Sequence, residues 1–255
     1  MIDSHAHLTD KAFDGDAGVL ARAKEAGVNM VVTLGWNIDS SEKSRDYAEK
    51  NEGVLCACGV HPSDCKEFDN GVIARLFETF KSKKCIALGE IGLDYHYDTS
   101  DYDLQKQVFM RQIEIAHEAA LPFIVHSRDA SKDVTDIITE SDKRGLLKNG
   151  FLMHCYSESR ESAAVYLKHG AYFAFGGAIT FRNAKKEDII RSIPIERILC
   201  ETDCPYMAPV PLRGTVNEPK NVRFVYEKLA DIYGVELGRF KEIVRENFYR
   251  LFGAM

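Results

Sequence analysis

The sequence predicts an α/β protein folded as one (β/α)8 barrel over residues 1–255, and three observations lead there. Short apolar runs alternate with longer amphipathic stretches from one end of the chain to the other. The runs are apolar on both faces, as the buried strands of a parallel sheet must be. No linker, low-complexity tract or repeat divides the 255 residues, a length that one such barrel commonly uses. The runner-up is an open doubly wound sheet. No G-x-G-x-x-G turn follows its first strand, and "FGGAI" at 175–179 lacks the spacing.

The first strand, 2–7, reads "IDSHAH"; the helical pattern "DAGVLARAKEAG" follows, and Gly27 stops it. A second strand at 30–34 precedes "SSEKSRDYAEKN", and a third at 54–61 precedes "DNGVIARLFETFKSK". The fourth, 85–90, leads to "DYDLQKQVFMRQIEIAHEAA", whose apolar residues recur at helical spacing. Strands at 122–126, 151–154, 172–175 and 198–203 complete the set, with Gly145 ending the helix between the fifth and sixth. Right-handed crossovers between successive parallel strands then close a barrel. The one long Pro/Gly-rich loop, "APVPLRGTVNEPKN" at 208–221, follows the last strand on the face where barrels carry their sites.

The bulk properties narrow the function classes. A net charge of −6 provides no global positive field to draw the chain to a phosphate backbone, so any nucleic-acid role must be local. No apolar run approaches the roughly 20 residues of a membrane span, and no basic and apolar leader opens the chain. Seven cysteines, several in apolar runs such as "GVLCACGV", fit free thiols in a reducing cytoplasm. Cys56-x-Cys58 is the only close pair, and on a strand it reads as core rather than as a thiolate metal site. Without a long exposed apolar segment, the expected state is a monomer.

Strand after strand ends in a residue of metal-ligand type: His5 and His7, His61, Glu90, His126, His154 and Asp203. Each alone has an ordinary explanation as a turn former, cap or hydrogen-bonded residue. In a barrel the strand ends converge on one axis, and imidazoles crowded with carboxylates are tolerable when a cation takes their lone pairs. Side chains alternate along a strand with period two, so His5 and His7 face the same way and can chelate one ion. His117 in a helical pattern, His169 before a glycine and His96 in a polar loop read as surface or capping residues.

In these motifs the chain resembles the TatD-type metal-dependent hydrolases, deoxyribonucleases among the amidohydrolase-like barrels. The matching stretches are "IDSHAHL", "GVHP", "ALGEIGLDY", "FIVHSRDA", "MHCYS", "AFGGAITFRNAKK", "ETDCPYMAP" and "NEP", in family order over residues 2–219. The resemblance implies a two-metal site that cleaves phosphodiester bonds, typically of DNA and often from an end. Carried over by position, His5, His7 and Asp203 hold one ion, His126 and His154 the other, and Glu90 bridges them. A bridging ligand must offer two anionic oxygens, which suits a carboxylate. Two departures stand out: "HCYSES" lacks the glycine usual after this motif, and Thr215 and Val216 replace basic residues before "NEP". The second removes positive charge beside the expected phosphate site.

Two divalent ions roughly 3.5–4 Å apart activate a water and stabilise both oxygens of the displacement. Asp203 and Glu90 are the expected catalytic carboxylates, Asp203 as general base. His61, Arg128, Arg213 and Asn217 are the expected substrate contacts, with Tyr95 and Tyr206 able to stack on a base. Asp94 is expected to order its loop. Imidazole ligands suit zinc, manganese, iron or nickel, while the resemblance adds magnesium. Two rival readings remain: a hydrolase of C–N or ester bonds in a small molecule, and a non-enzymatic metal-binding scaffold.

Overall fold

The computed structural model describes residues 1–96 and 101–253. Among them, eight parallel strands stand in sequence order, β1 (Ile2–Ala6), β2 (Met30–Leu34), β3 (Val54–Cys58), β4 (Cys85–Asp94), β5 (Phe123–Arg128), β6 (Phe151–Met153), β7 (Tyr172–Phe175) and β8 (Ile198–Cys200). The ring closes through an isolated bridge between Ala6 and Cys204, where His7 N donates to Cys204 O at 2.8 Å and Asp203 N to His5 O at 2.9 Å. The predicted (β/α)8 barrel is therefore the observed one, and the open-sheet alternative falls. Helices α1 (Val19–Glu25), α2 (Ile38–Lys50), α3 (Asn70–Thr79), α4 (Tyr102–Glu118), α5 (Ser131–Lys143), α6 (Arg160–Lys168), α7 (Glu187–Arg191), α8 (Val222–Tyr233) and α9 (Leu237–Phe252) form the outer layer. None of the described helices is long and apolar enough to cross a membrane.

The strand ends differ from the sequence expectation in an informative way. β4 continues past Glu90 to Asp94, and β5 past His126 to Arg128, because the two extensions pair with each other from Ile91↔Val125 to Asp94↔Arg128. Gly92 makes this approach possible: a Cβ there would lie 1.9 Å from His126 O, and its φ of +144° is one that L side chains rarely adopt. β3, β6 and β8 stop early instead, so His61, His154 and Asp203 sit on the first residues of the following loops.

Two buried polar clasps fix β1, the strand that carries His5 and leads directly into His7. Tyr226 of α8 accepts from Ile2 N and donates to Ile2 O, both at 3.0 Å. Asp3 accepts from Thr202 N at 2.9 Å and pairs with the Thr202 hydroxyl at 2.6 Å, tying β1 to the segment after β8. Burial pushes the Asp3 carboxyl up to about 8 against the pull of those hydrogen bonds.

A raised carboxyl stabilises the fold fully below its unfolded value and loses that contribution as pH rises through the folded one. Unfolding midpoints in urea should therefore fall between about pH 4 and 8 for the native chain and level off above. Asp3→Asn, which reproduces the protonated acid's bonding, should flatten that slope, whereas Asp3→Ala should cost about 1–3 kcal/mol at pH 6.

Candidate metal centre

At the C-terminal mouth of the barrel, six of the expected residues converge. His5 on β1 and His7, the residue just past its end, lie two apart, and their Nε2 atoms stand 3.3 Å from each other. His5 Nε2 is 3.5 Å from Glu90 Oε2 and 3.7 Å from Asp203 Oδ1; His7 Nε2 is 3.8 Å and 3.4 Å from the same two atoms. Around a four-coordinate ion with bonds of about 2.0–2.1 Å, ligand atoms are separated by roughly 3.3–3.4 Å. The four donors thus stand at nearly the spacing of a tetrahedral first-row site. That is too wide for good hydrogen bonds to explain it.

The other oxygen of Glu90 faces a second set. Glu90 Oε1 is 2.8 Å from His126 Nδ1, 3.1 Å from His154 Nε2 and 3.9 Å from His61 Nε2. One carboxylate therefore addresses two imidazole clusters, one oxygen each. His5 and His154 stack across it with ring centroids 3.8 Å apart. Asp203 takes a φ of +54° and Cys155 one of +45°, left-handed backbone that non-glycine residues adopt at a cost and that gathers at functional sites.

The electrostatics follow from burial of four imidazoles with two carboxylates. Burial opposes charge on Glu90, but His154, His126 and His5 overcome it and hold the carboxyl well below its usual range. Burial equally opposes charge on His154, yet Glu201 and Glu90 keep this imidazole well above the usual range. His7 and His126 also rise against burial, through Asp203 and through Asp94 with Glu90 respectively. His5 moves down, by burial and by the neighbouring His154. Burial pushes His61 down to about 4, so it is neutral at pH 7.

The expected substrate contacts fare differently. His61 caps the turn at Pro62–Glu67, with Nδ1 accepting from Ser63 N at 3.1 Å, and its other nitrogen turns toward Glu90 and His126. Arg128 lies on the wall of a cleft of about 490 Å³ that opens beside the cluster, lined also by His126, His154, Phe181, Lys186 and Asp203. Arg213 does not line that cleft itself: its guanidinium lies 4.3 Å over the ring of Phe181, in an adjoining pocket that shares Phe181 and Met207 with the cleft. Asn217 is corrected outright. It is fully buried, its amide donates to Thr202 O and Tyr206 O at 2.9 and 2.8 Å, and its oxygen accepts from Glu218 N and Asn221, so it braces the loop. Tyr206 is 54% exposed at the mouth, 6.1 Å from the His7 ring, while Tyr95 is turned to Asp133.

Two carboxylates belong to the site beyond those expected to act there. Asp94 does order its loop, accepting from His96 N, but its other oxygen meets His126 Nε2 at 3.0 Å. Glu201, completely buried, accepts from Cys155 N at 2.7 Å and lies 3.2 Å from His154 Nδ1. Such carboxylates orient a ligating imidazole and raise its basicity. The signal in the sequence was the spacing: each is an acid within a few residues of a ligand-type residue, in "GEIGLD" and "ETD". His96, His117 and His169 remain outside the cluster; His96 pairs with Asp129 and His169 with Asp142.

A parallel barrel that focuses imidazoles and acids at its C-terminal mouth has the build of a metal-dependent hydrolase. The comparisons agree. The family model described as "TatD related DNase" matches residues 2–253. The uncharacterized metal-dependent hydrolase YabD of Bacillus subtilis (strain 168) is 38% identical over 254 residues, covering 99% of this chain and 98% of the relative. YcfH of Escherichia coli (strain K12), of the same description, is 36% identical over 258 residues, covering 99% and 95%. Among solved structures, the TatD homologue YjjV of Escherichia coli K12 superposes with a TM-score of 0.93 at 27% identity, covering 100% of this chain and 98% of that one. The chain belongs to the TatD family of metal-dependent hydrolases.

Metal ligands must be unprotonated, and several of these imidazoles hold protons more tightly than free histidine does. Metal uptake at pH 7 should release at least about one proton per chain and weaken steeply on acidification, both readable by calorimetry in buffers of different ionisation enthalpy. Divalent metal at about 100 times its Kd should also stabilise the fold by about 2.7 kcal/mol, a shift that His5→Ala should abolish in thermal melts.

Proposed function

We propose that the protein is a metal-dependent deoxyribonuclease that hydrolyses phosphodiester bonds at DNA ends, with two divalent ions sharing Glu90. The observation that carries this reading is the division of labour within Glu90: Oε2 faces His5 and His7, and Oε1 faces His126 and His154. Bound there, a pair of divalent ions supplies Lewis-acid polarisation of the phosphoryl group and an acidified water. Zinc, manganese, iron and nickel suit this imidazole-rich set, and magnesium follows from family practice.

The chain's own residues supply the rest. Asp203 stands at the border of the first set and the cleft, held ionised by His7 and its neighbours against burial. It is placed to take the proton of the attacking water and pass it on as the leaving oxygen departs. Asp94 and Glu201 fix the rings of His126 and His154, so the ligand atoms need no reorganisation. Arg128 on the cleft wall supplies a guanidinium fork for a phosphate oxygen. A cleft of about 490 Å³ has the capacity for one nucleotide-sized unit beside the centre.

A second reading is hydrolysis of an ester or C–N bond in a small molecule. The apolar part of the same cleft, Phe175, Ile179, Phe181 and Met207, favours it, as do Thr215 and Val216 where a polynucleotide site would gain from basic residues. Turnover of end-labelled DNA, measured beside acyl-ester and amide substrates with and without added metal, separates the two. The nuclease reading predicts metal-dependent shortening of DNA from an end. It predicts loss of about 10²–10⁴ in kcat for Asp203→Asn and a raised KM for Arg128→Ala. Ester or amide turnover without DNA cleavage would establish the alternative.

A further inference from the structure

A second cluster of ligand-type side chains lies away from the mouth of the barrel. Val54, Cys56 and Cys58 share one face of β3, the face turned outward to the helices, while Leu55 and Ala57 point inward. Cys58 reaches the carbonyl of Ser41 on α2 at 3.4 Å, which places the sulfurs in the layer between sheet and helices. The register of the neighbouring strand sets Cys85, the first residue of β4, beside Cys56. The three sulfurs all lie within 4.8 Å of one another, in residues that are 0%, 0% and 5% exposed.

We propose that Cys56, Cys58 and Cys85 form a separate metal site, a three-sulfur nest for a soft, thiophilic cation of the copper(I) class. Three sulfurs around an ion with bonds of about 2.3 Å in a trigonal plane stand about 4.0 Å apart, so the cluster needs little movement to close on one. Thiolates select copper(I), zinc or iron–sulfur clusters among biological metals. Structural zinc takes four protein ligands, and among the described residues no fourth histidine, cysteine or carboxylate joins these three.

The charge balance points the same way. Hydrogen bonds from Cys56 and Cys85, with help from Thr79 and Arg45, hold the Cys58 thiol well below its ordinary range; the same sharing raises Cys56 and Cys85. Each thiol that ligates gives up its proton to solvent, and a bound cation offsets the charge this leaves within the buried layer. Sequence spacing alone could not reveal the site, because Cys85 lies 27 residues beyond Cys58 and joins it only through strand register.

The test uses the reduced full-length chain, titrated anaerobically with copper(I) against a colorimetric copper(I) chelator, followed by X-ray absorption at the copper edge. The expected result is about one copper(I) retained per chain in an all-sulfur, three-coordinate shell, with Cys56→Ala and Cys85→Ala each weakening retention at least about tenfold, or 1.4 kcal/mol. Cys65→Ala and His126→Ala should retain copper as the native chain does. The absorption measurement on the native protein stands even where a variant folds poorly. Nitrogen or oxygen in the copper shell, undiminished retention in folded Cys56→Ala and Cys85→Ala, or zinc outcompeting copper(I) for these sulfurs would each overturn the proposal.

Discussion

Everything at the mouth of this barrel depends on one buried carboxylate. Glu90 is only 5% exposed and stands among His5, His7, His126 and His154, each with a nitrogen within 3.8 Å of one of its oxygens. An isolated ionised carboxylate in such a place would cost far more than a protein of ordinary stability can spare, so its neighbours must supply positive charge. With protons alone, the cluster does this through charged imidazoles: Glu201 and Glu90 raise His154, and His154 with its neighbours lowers Glu90. Divalent cations satisfy the same demand and also use the imidazole lone pairs that protons would otherwise cover.

The fold is arranged to make that crowding possible. Parallel strands aim their C-terminal ends at one axis, and Gly92 lets β4 approach β5 closely enough to set Glu90 against His126. Asp3 and Thr202 lock the two strands that bring the first histidine pair to Asp203. The carboxylates behind the imidazoles, Asp94 and Glu201, are themselves held by backbone amides of His96 and Cys155. Positioning thus passes inward from backbone to acid to imidazole to the shared carboxylate.

Much of this was legible in the sequence, because period-two alternation and the parallel-strand pattern are local. His5 and His7, Glu90, His126, His154 and Asp203 each close an apolar run, and barrel geometry alone brings such ends together. What was not legible depends on register and on side-chain direction. Asn217 reads as a polar residue in a rim loop, but the fold turns it inward to hold Thr202 and Tyr206. Arg213 reads as a substrate contact, and it lies over Phe181 in a pocket adjoining the cleft rather than on the cleft wall. Asp94 reads as a loop residue only, since nothing local shows that β4 runs four residues past Glu90 to place it on His126. Cys85 joins Cys56 and Cys58 for the same reason of register.

The claim that Glu90 joins two cation sites is tested most directly by anomalous diffraction from crystals of the protein grown with manganese or zinc. The account predicts two peaks at the barrel mouth, one against His5, His7 and Asp203 and the other against His126 and His154, with an oxygen of Glu90 on each. A single peak that Glu90 does not touch, or no ordered metal at saturating concentration, would contradict it.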